Sequence, residues 1–223
     1  MRSLRAPLAN VLWYIIWLVL VIACQRWEQL CISQTGLHTF MAASFLLVSI
    51  LVLLIMSGRY HHEQKFFITF EDTWRNGVNS FFNIILLAIL VLGCFMVLVS
   101  YLKAKSFFPS LTNPTDYLAY GQAAFWFDLL TSSLIIAIEQ QYVCVGFFFN
   151  YFFLKYNLMS ALGGIFLSGL VFGLLNMENL HFINLFVYCA IGWLLATVYL
   201  ATQNFSLNLM LGVFVALMKV ILI

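Results

Sequence analysis

The sequence predicts an all-α integral membrane protein, a polytopic bundle of about seven to eight transmembrane helices, and three observations carry that prediction. Of 223 residues, 64% are hydrophobic and 8% are charged. A soluble domain carries about 25% charged residues to wet its surface, so an apolar phase must solvate this one. Mean hydropathy, at +1.02, points the same way. Finally, the apolar residues fall into long runs, and about 20 of them suffice for a helix to cross roughly 30 Å of hydrocarbon.

The runs are residues 8–24, 40–56, 81–102, 119–154, 158–175, 182–200 and 205–223. The fourth is interrupted by Asp128 and by Glu139-Gln140-Gln141. It reads either as one long tilted helix or as two segments meeting near the polar cluster. Barrel strands alternate apolar and polar residues, whereas these runs are apolar all round. The net charge of +2 gives no footprint for nucleic acid, and the lipid bilayer is the first expected partner.

Arg2 and Arg5 precede the first run, and no small-x-small site follows Cys24, which reads as an uncleaved anchor. By the positive-inside rule the N-terminus is cytoplasmic, and Arg59, Lys65 and Arg75 agree, while Lys103 and Lys105 fall on the other side. The five cysteines, Cys24, Cys31, Cys94, Cys144 and Cys189, show no CxxC spacing and no adjoining histidine. They read as small apolar packers rather than zinc ligands or disulfides, and no pattern asks for a cofactor.

The whole chain reads as one membrane domain, with a three-helix part over residues 1–120 and a helical core over 121–223. Residues 57–79 carry Phe66, Phe67, Phe70 and Trp74 at helical spacing, hence an interfacial amphipathic helix, with His61-His62-Glu63 in a solvated turn. Pro109 and Pro114 mark an irregular loop before Tyr120. Ser160, Gly164, Ser168, Gly169 and Gly173 give small-xxx-small spacings. That pattern lets membrane helices approach closely and suggests that this helix lies near the bundle centre.

Ionisable groups at membrane depth cost about 2.5–3.5 kcal/mol on insertion scales. Asp128 and Glu139 are 11 residues apart, about three turns and nearly one face of an unbroken helix. For Asp128 the simpler expectation is an interhelical hydrogen bond. Glu139, with Gln140 and Gln141, is expected to form a polar pocket with Asn176 on a neighbouring helix. Glu178, Asn179, His181, Asn184, Asn208 and Lys219 are further candidates.

Residues 138–148, Ile-Glu-Gln-Gln-Tyr-Val-Cys-Val-Gly-Phe-Phe, resemble the first motif, Glu-Glu-x-x-x-Arg, of the CPBP family. That family comprises intramembrane CAAX proteases and bacteriocin-processing or self-immunity proteins. Phe172-Gly-Leu-Leu-Asn176 is similar to its second motif, Phe-x-x-x-His. Gly192, Tyr199 and Thr202 follow the family's order, and Gly212 stands at the place of its last-helix histidine. The resemblance covers residues 128–216. It implies a glutamate that activates water as a general base, with histidines and an asparagine stabilising the oxyanion.

Against that pattern, Glu139 is the one catalytic residue retained, Gln140 replaces the second glutamate, Cys144 the arginine, Asn176 and Gly212 the histidines, and Ala216 the asparagine. Moving the match by one residue to align Gly146 puts Gln140 and Gln141 at the acid positions and Val145 at the arginine. The expected pocket is Asp128, Gln140, Gln141, Cys144, Phe172, Asn176, His181 and Gly212. The resemblance therefore implies a non-proteolytic member of the bacterial plasma membrane, binding a membrane-associated peptide or another membrane protein. The alternatives are an active glutamate-dependent endopeptidase, or a small transporter or accessory subunit with Asp128 and Glu139 on its path.

Overall fold

The computed structural model describes residues 7–33, 36–64, 74–107, 120–153, 158–177 and 181–222, with backbone alone described over 74–80. Among the described residues, seven helices are long and apolar enough to cross a membrane. They are α1 (Pro7–Leu30), α2 (Thr39–Gln64), α3 (Trp74–Ala104), α4 (Gln122–Phe152), α5 (Leu158–Asn176), α6 (Phe182–Thr202) and α7 (Phe205–Leu222). The chain is thus an all-α polytopic membrane bundle, and its apolar belt (Leu12, Leu47, Leu54 and Leu90 among its exposed residues) is solvated by lipid.

The first two helices bury a seam of period 3.5. On α1 it is Asn10, Tyr14, Trp17, Val21, Cys24 and Glu28; on α2 it is Ala42, Phe45, Ser49, Val52, Met56, Tyr60 and Glu63. Alternating steps of three and four keep one stripe facing a neighbour crossed at a shallow angle. Both seams face α4. Asn10 donates to the Tyr151 carbonyl at 3.3 Å, and the Trp17 ring stacks on Phe147 at 5.2 Å.

The span over 119–154, open between one helix and two, is a single helix from Gln122 to Phe152. It contains two π-helical segments, Thr131–Ile136 and Tyr142–Phe147. It is the central helix: every residue over 139–151 is buried. The small-residue helix α5 is peripheral instead. Its small residues serve two faces: Ser168 donates to the Cys144 carbonyl of α4 at 2.7 Å, while Gly169 and Gly173 lie against Trp193 and Cys189 of α6.

Other expectations shift at the ends. His61, His62 and Glu63 lie in the last turns of α2, not in a solvated turn, because the helix runs on to Gln64. Glu63 is buried with Arg59 (2.6 Å) and Tyr151 (2.7 Å) as partners. The remainder of the expected amphipathic helix, over 65–73, lies outside the described residues, as do both loop prolines. The α3 backbone starts at Trp74 and breaks from helical geometry at Phe81. A short antiparallel hairpin, β1 (Ile32–Ser33) and β2 (Gly36–Leu37), joins α1 to α2; its two-residue strands are too short to leave a pattern.

Candidate functional site

A cavity of about 960 Å³ enters the bundle at the end where α1, α3, α5 and α7 finish and α4 begins. Its floor is polar. Gln140 and Asn176 face each other across α4 and α5, with Asn176 Nδ2 donating to Gln140 Oε1 at 3.0 Å and the return bond at 3.4 Å. Asn176 Nδ2 also lies 3.1 Å from the Phe172 carbonyl. Gln141 accepts from Asn208 Nδ2 of α7 at 2.7 Å. Its side chain occupies the space that Gly212 leaves open, since a Cβ there would stand 2.5 Å from Gln141 Cγ.

Asp128, Gln140, Gln141, Phe172, Asn176 and Gly212 of the expected pocket therefore line one chamber. Three expected residues do not. Cys144 is buried on α4, and its backbone carbonyl accepts from Ser168 of α5. His181 is exposed in extended backbone just before α6. Glu139 is the main correction: it is fully buried on the far side of α4, against the Cys24 thiol of α1, with Ser49 of α2 beside that thiol. Neither its carboxyl oxygens nor the Ser49 hydroxyl meets hydrogen-bond geometry among the described residues.

The physical reason lies in the first π-helical segment. On an unbroken α-helix residue 139 stands about 20° from residue 128, at roughly 100° per residue. A π turn takes one extra residue, which delays everything after it by about one step. Gln140 then takes the phase expected for Glu139, and Glu139 rotates behind it. Asp128 and Glu139 therefore share no path, and the Glu139–Asn176 pair gives way to Gln140–Asn176.

The residue that the sequence reading missed is Glu28. The first apolar run closes at Cys24, yet α1 continues to Leu30, which places Glu28 on the cavity wall. The signal was present as the 3.5-residue seam through Asn10, Tyr14, Trp17 and Cys24, with Glu28 next in phase. Glu28 Oε1 is 2.9 Å from both Thr131 Oγ1 and Ser132 Oγ, and Ser132 Oγ is 3.1 Å from Asp128 Oδ1. On another wall, Lys219 Nζ stands 5.2 Å from the centroid of the Tyr188 ring.

Chemically, this chamber offers amide donors and acceptors in its depth and carboxyl groups nearer its mouth. Primary amides present both hydrogen-bonding roles, which is what a peptide backbone also presents. Compared with known protein families, with curated proteins and with solved structures, the chain matches none.

Proposed function

We propose that the chain is a non-proteolytic member of the CPBP-type group in a bacterial plasma membrane, holding a segment of a membrane-associated peptide or partner protein in its cavity. The observation that carries this reading is the division of α4: Gln140 and Gln141 face the chamber, while Glu139 lies behind α4, against Cys24. A general base must come within hydrogen-bond reach of the attacking water, and Glu139 is walled off from the chamber by its own helix. No histidine lines the chamber among the described residues. Gln140 and Gln141, which one register of the resemblance brings to the motif's acid positions, both line this wall, and that supports the reading.

The amides suit binding without hydrolysis. A peptide group entering the floor exchanges the Gln140–Asn176 pair for bonds to its own N–H and C=O, so no polar group is left bare. With the N-terminus cytoplasmic, the mouth opens to the outer face, the side from which a secreted peptide approaches. Bacteriocin self-immunity or peptide maturation is the setting that the resemblance suggests.

The test uses a hydrophobic peptide carrying a photo-activatable benzophenone, incubated with the full chain in nanodiscs. We expect crosslinks to cavity residues of α1, α5 and α7 and recovery of the peptide intact. Cleavage that disappears in Glu139→Ala would overturn the reading in favour of an active peptidase. Crosslinks confined to the lipid-facing belt would remove the binding role as well.

A further inference from the structure

The mouth of the 960 Å³ chamber gathers charge of both signs: Arg26 and Glu28 of α1, Lys103 of α3, Asp128 of α4 and Lys219 of α7. The two acids are turned towards each other. Their side chains are in hydrogen-bond contact, and such a bond between carboxyl groups needs a proton on one of them. The pair then brings one negative charge against three cations, and even two ionised acids would leave the balance positive. Arg26 directs one of its five donors to Gln29 at 3.0 Å, and Lys219 Nζ lies 5.2 Å from the centroid of the Tyr188 ring. Arg26 reaches the others across open space, since α1 packs on α2 and α4 rather than on α3 or α7. Lys105, at the same end of the bundle, stays off the chamber, 5.9 Å from the Tyr101 ring centroid.

Below the mouth the wall is aliphatic, with Leu18 and Ile22 of α1, Val171 and Leu175 of α5 and Val215 of α7. Along α1 the lining runs from Leu18 to Gln29, about 16 Å at roughly 1.5 Å per residue. One leaflet is half of a hydrocarbon core of roughly 30 Å, so the chamber is about as deep as an acyl chain is long. Ile22, Leu174 and Ile221 line the chamber and are also exposed, which makes it continuous with the lipid-facing belt. Arg26, Lys103 and Lys219 stand within four residues of the ends of α1, α3 and α7, at the level of headgroups.

We propose that the chamber holds one anionic phospholipid, its phosphate seated among Arg26, Lys103 and Lys219 and one acyl chain lying along the aliphatic wall. Basic pockets between membrane helices take anionic headgroups by the same attraction. The floor needs nothing from the lipid, because Gln140 and Asn176 bond each other. The inference is independent of the peptide-binding reading: the lipid holds the mouth and one wall, and the floor is left to the peptide.

The test reconstitutes the full chain in nanodiscs of equimolar phosphatidylglycerol and phosphatidylcholine and releases it for native mass spectrometry. A single phosphatidylglycerol should stay bound, and phosphatidylcholine should not. Arg26→Gln and Lys219→Gln should each lower phosphatidylglycerol retention by about fivefold. Two variants on different helices guard against either one failing to fold. Lys105→Gln, whose side chain lies off the chamber, should leave retention unchanged. Equal retention of the two lipids, or a loss in Lys105→Gln as large as in the chamber variants, overturns the site in favour of a diffuse surface charge. Retention that survives in both chamber variants overturns it as well. Glycerophosphoglycerol, the same headgroup without chains, should fail to displace the bound lipid; displacement would assign the cations to a soluble phosphate ester and overturn the lipid. None of these outcomes bears on peptide crosslinking, so the two readings fail separately.

Discussion

Replacing Gly192 with leucine should separate α5 from α6 and abolish the folded protein in detergent, and alanine alone should lower its stability by about 1–3 kcal/mol. A Cβ at Gly192 would stand 2.7 Å from the Gly169 Cα, 2.8 Å from the Phe172 Cβ and 3.1 Å from the Gly169 carbonyl oxygen. Two of these are backbone atoms and the third is the root of a side chain, so nothing can swing aside. The helices can only move apart, and close backbone approach is what holds membrane helices together where lipid competes for every apolar contact. Phe172 and Asn176 lie on the displaced helix, so the cavity floor should open as well. At roughly 2–4 °C per kcal/mol for a chain of this size, Gly192→Ala should lower the thermal midpoint by several degrees. Gly163→Ala is the control: it faces lipid with nothing within 4 Å and should leave the midpoint unchanged or slightly raised. Equal midpoints for the two alanine variants would contradict the packing described for α5 and α6.

The second large effect is expected at Glu63. Its carboxylate takes the Arg59 Nε at 2.6 Å and the Tyr151 hydroxyl at 2.7 Å, with Asn150 Nδ2 at 3.5 Å. The Arg59 guanidinium lies 4.9 Å from the centroid of the Trp13 ring. One acid thus ties α1, α2 and the end of α4 together. Removing one partner of a buried pair costs about 3–5 kcal/mol because the other charge is left bare. The Arg59 side chain is 29% exposed, so water relieves part of that, and about 2–3 kcal/mol is the expectation for Glu63→Leu. Removing both charges together should restore most of the loss, since replacing a buried pair with apolar groups is often neutral. Thermal midpoints for Glu63→Leu, Arg59→Met and the double variant test this. A double variant as unstable as Glu63→Leu would mean that Arg59 is not the group left stranded.

The spans were legible because hydrophobic runs report the solvent, and the solvent alone decides them. Their ends were less so. Glu28 and the last turns of α2 lie past the strictly apolar stretch, where helix continues because tertiary partners satisfy polar groups: Thr131 and Ser132 for Glu28, Tyr151 for Glu63. The polar cluster on α4 is visible in the sequence, and Gln140, Gln141, Asn176 and Gly212 meet in the structure. Which of three adjacent residues faces the chamber was not legible, because it depends on a π turn. Residues 131–136, Thr-Ser-Ser-Leu-Ile-Ile, carry no local mark of one. Small residues on α5 announced close packing truthfully but not centrality, since the same spacing serves a peripheral helix gripped from two sides.

The phase of α4 also carries the functional reading, and it can be measured directly. In a background whose native cysteines are replaced, single cysteines at positions 139, 140 and 176 are exposed in turn to a small water-soluble thiol reagent, in reconstituted protein. Gln140→Cys and Asn176→Cys should label through the cavity mouth, and labelling should fall when a bound peptide fills the chamber. Glu139→Cys, behind α4, should remain unlabelled until the protein is denatured. Rapid labelling at 139 with protection at 140 would place the acid in the chamber and contradict the account at its centre.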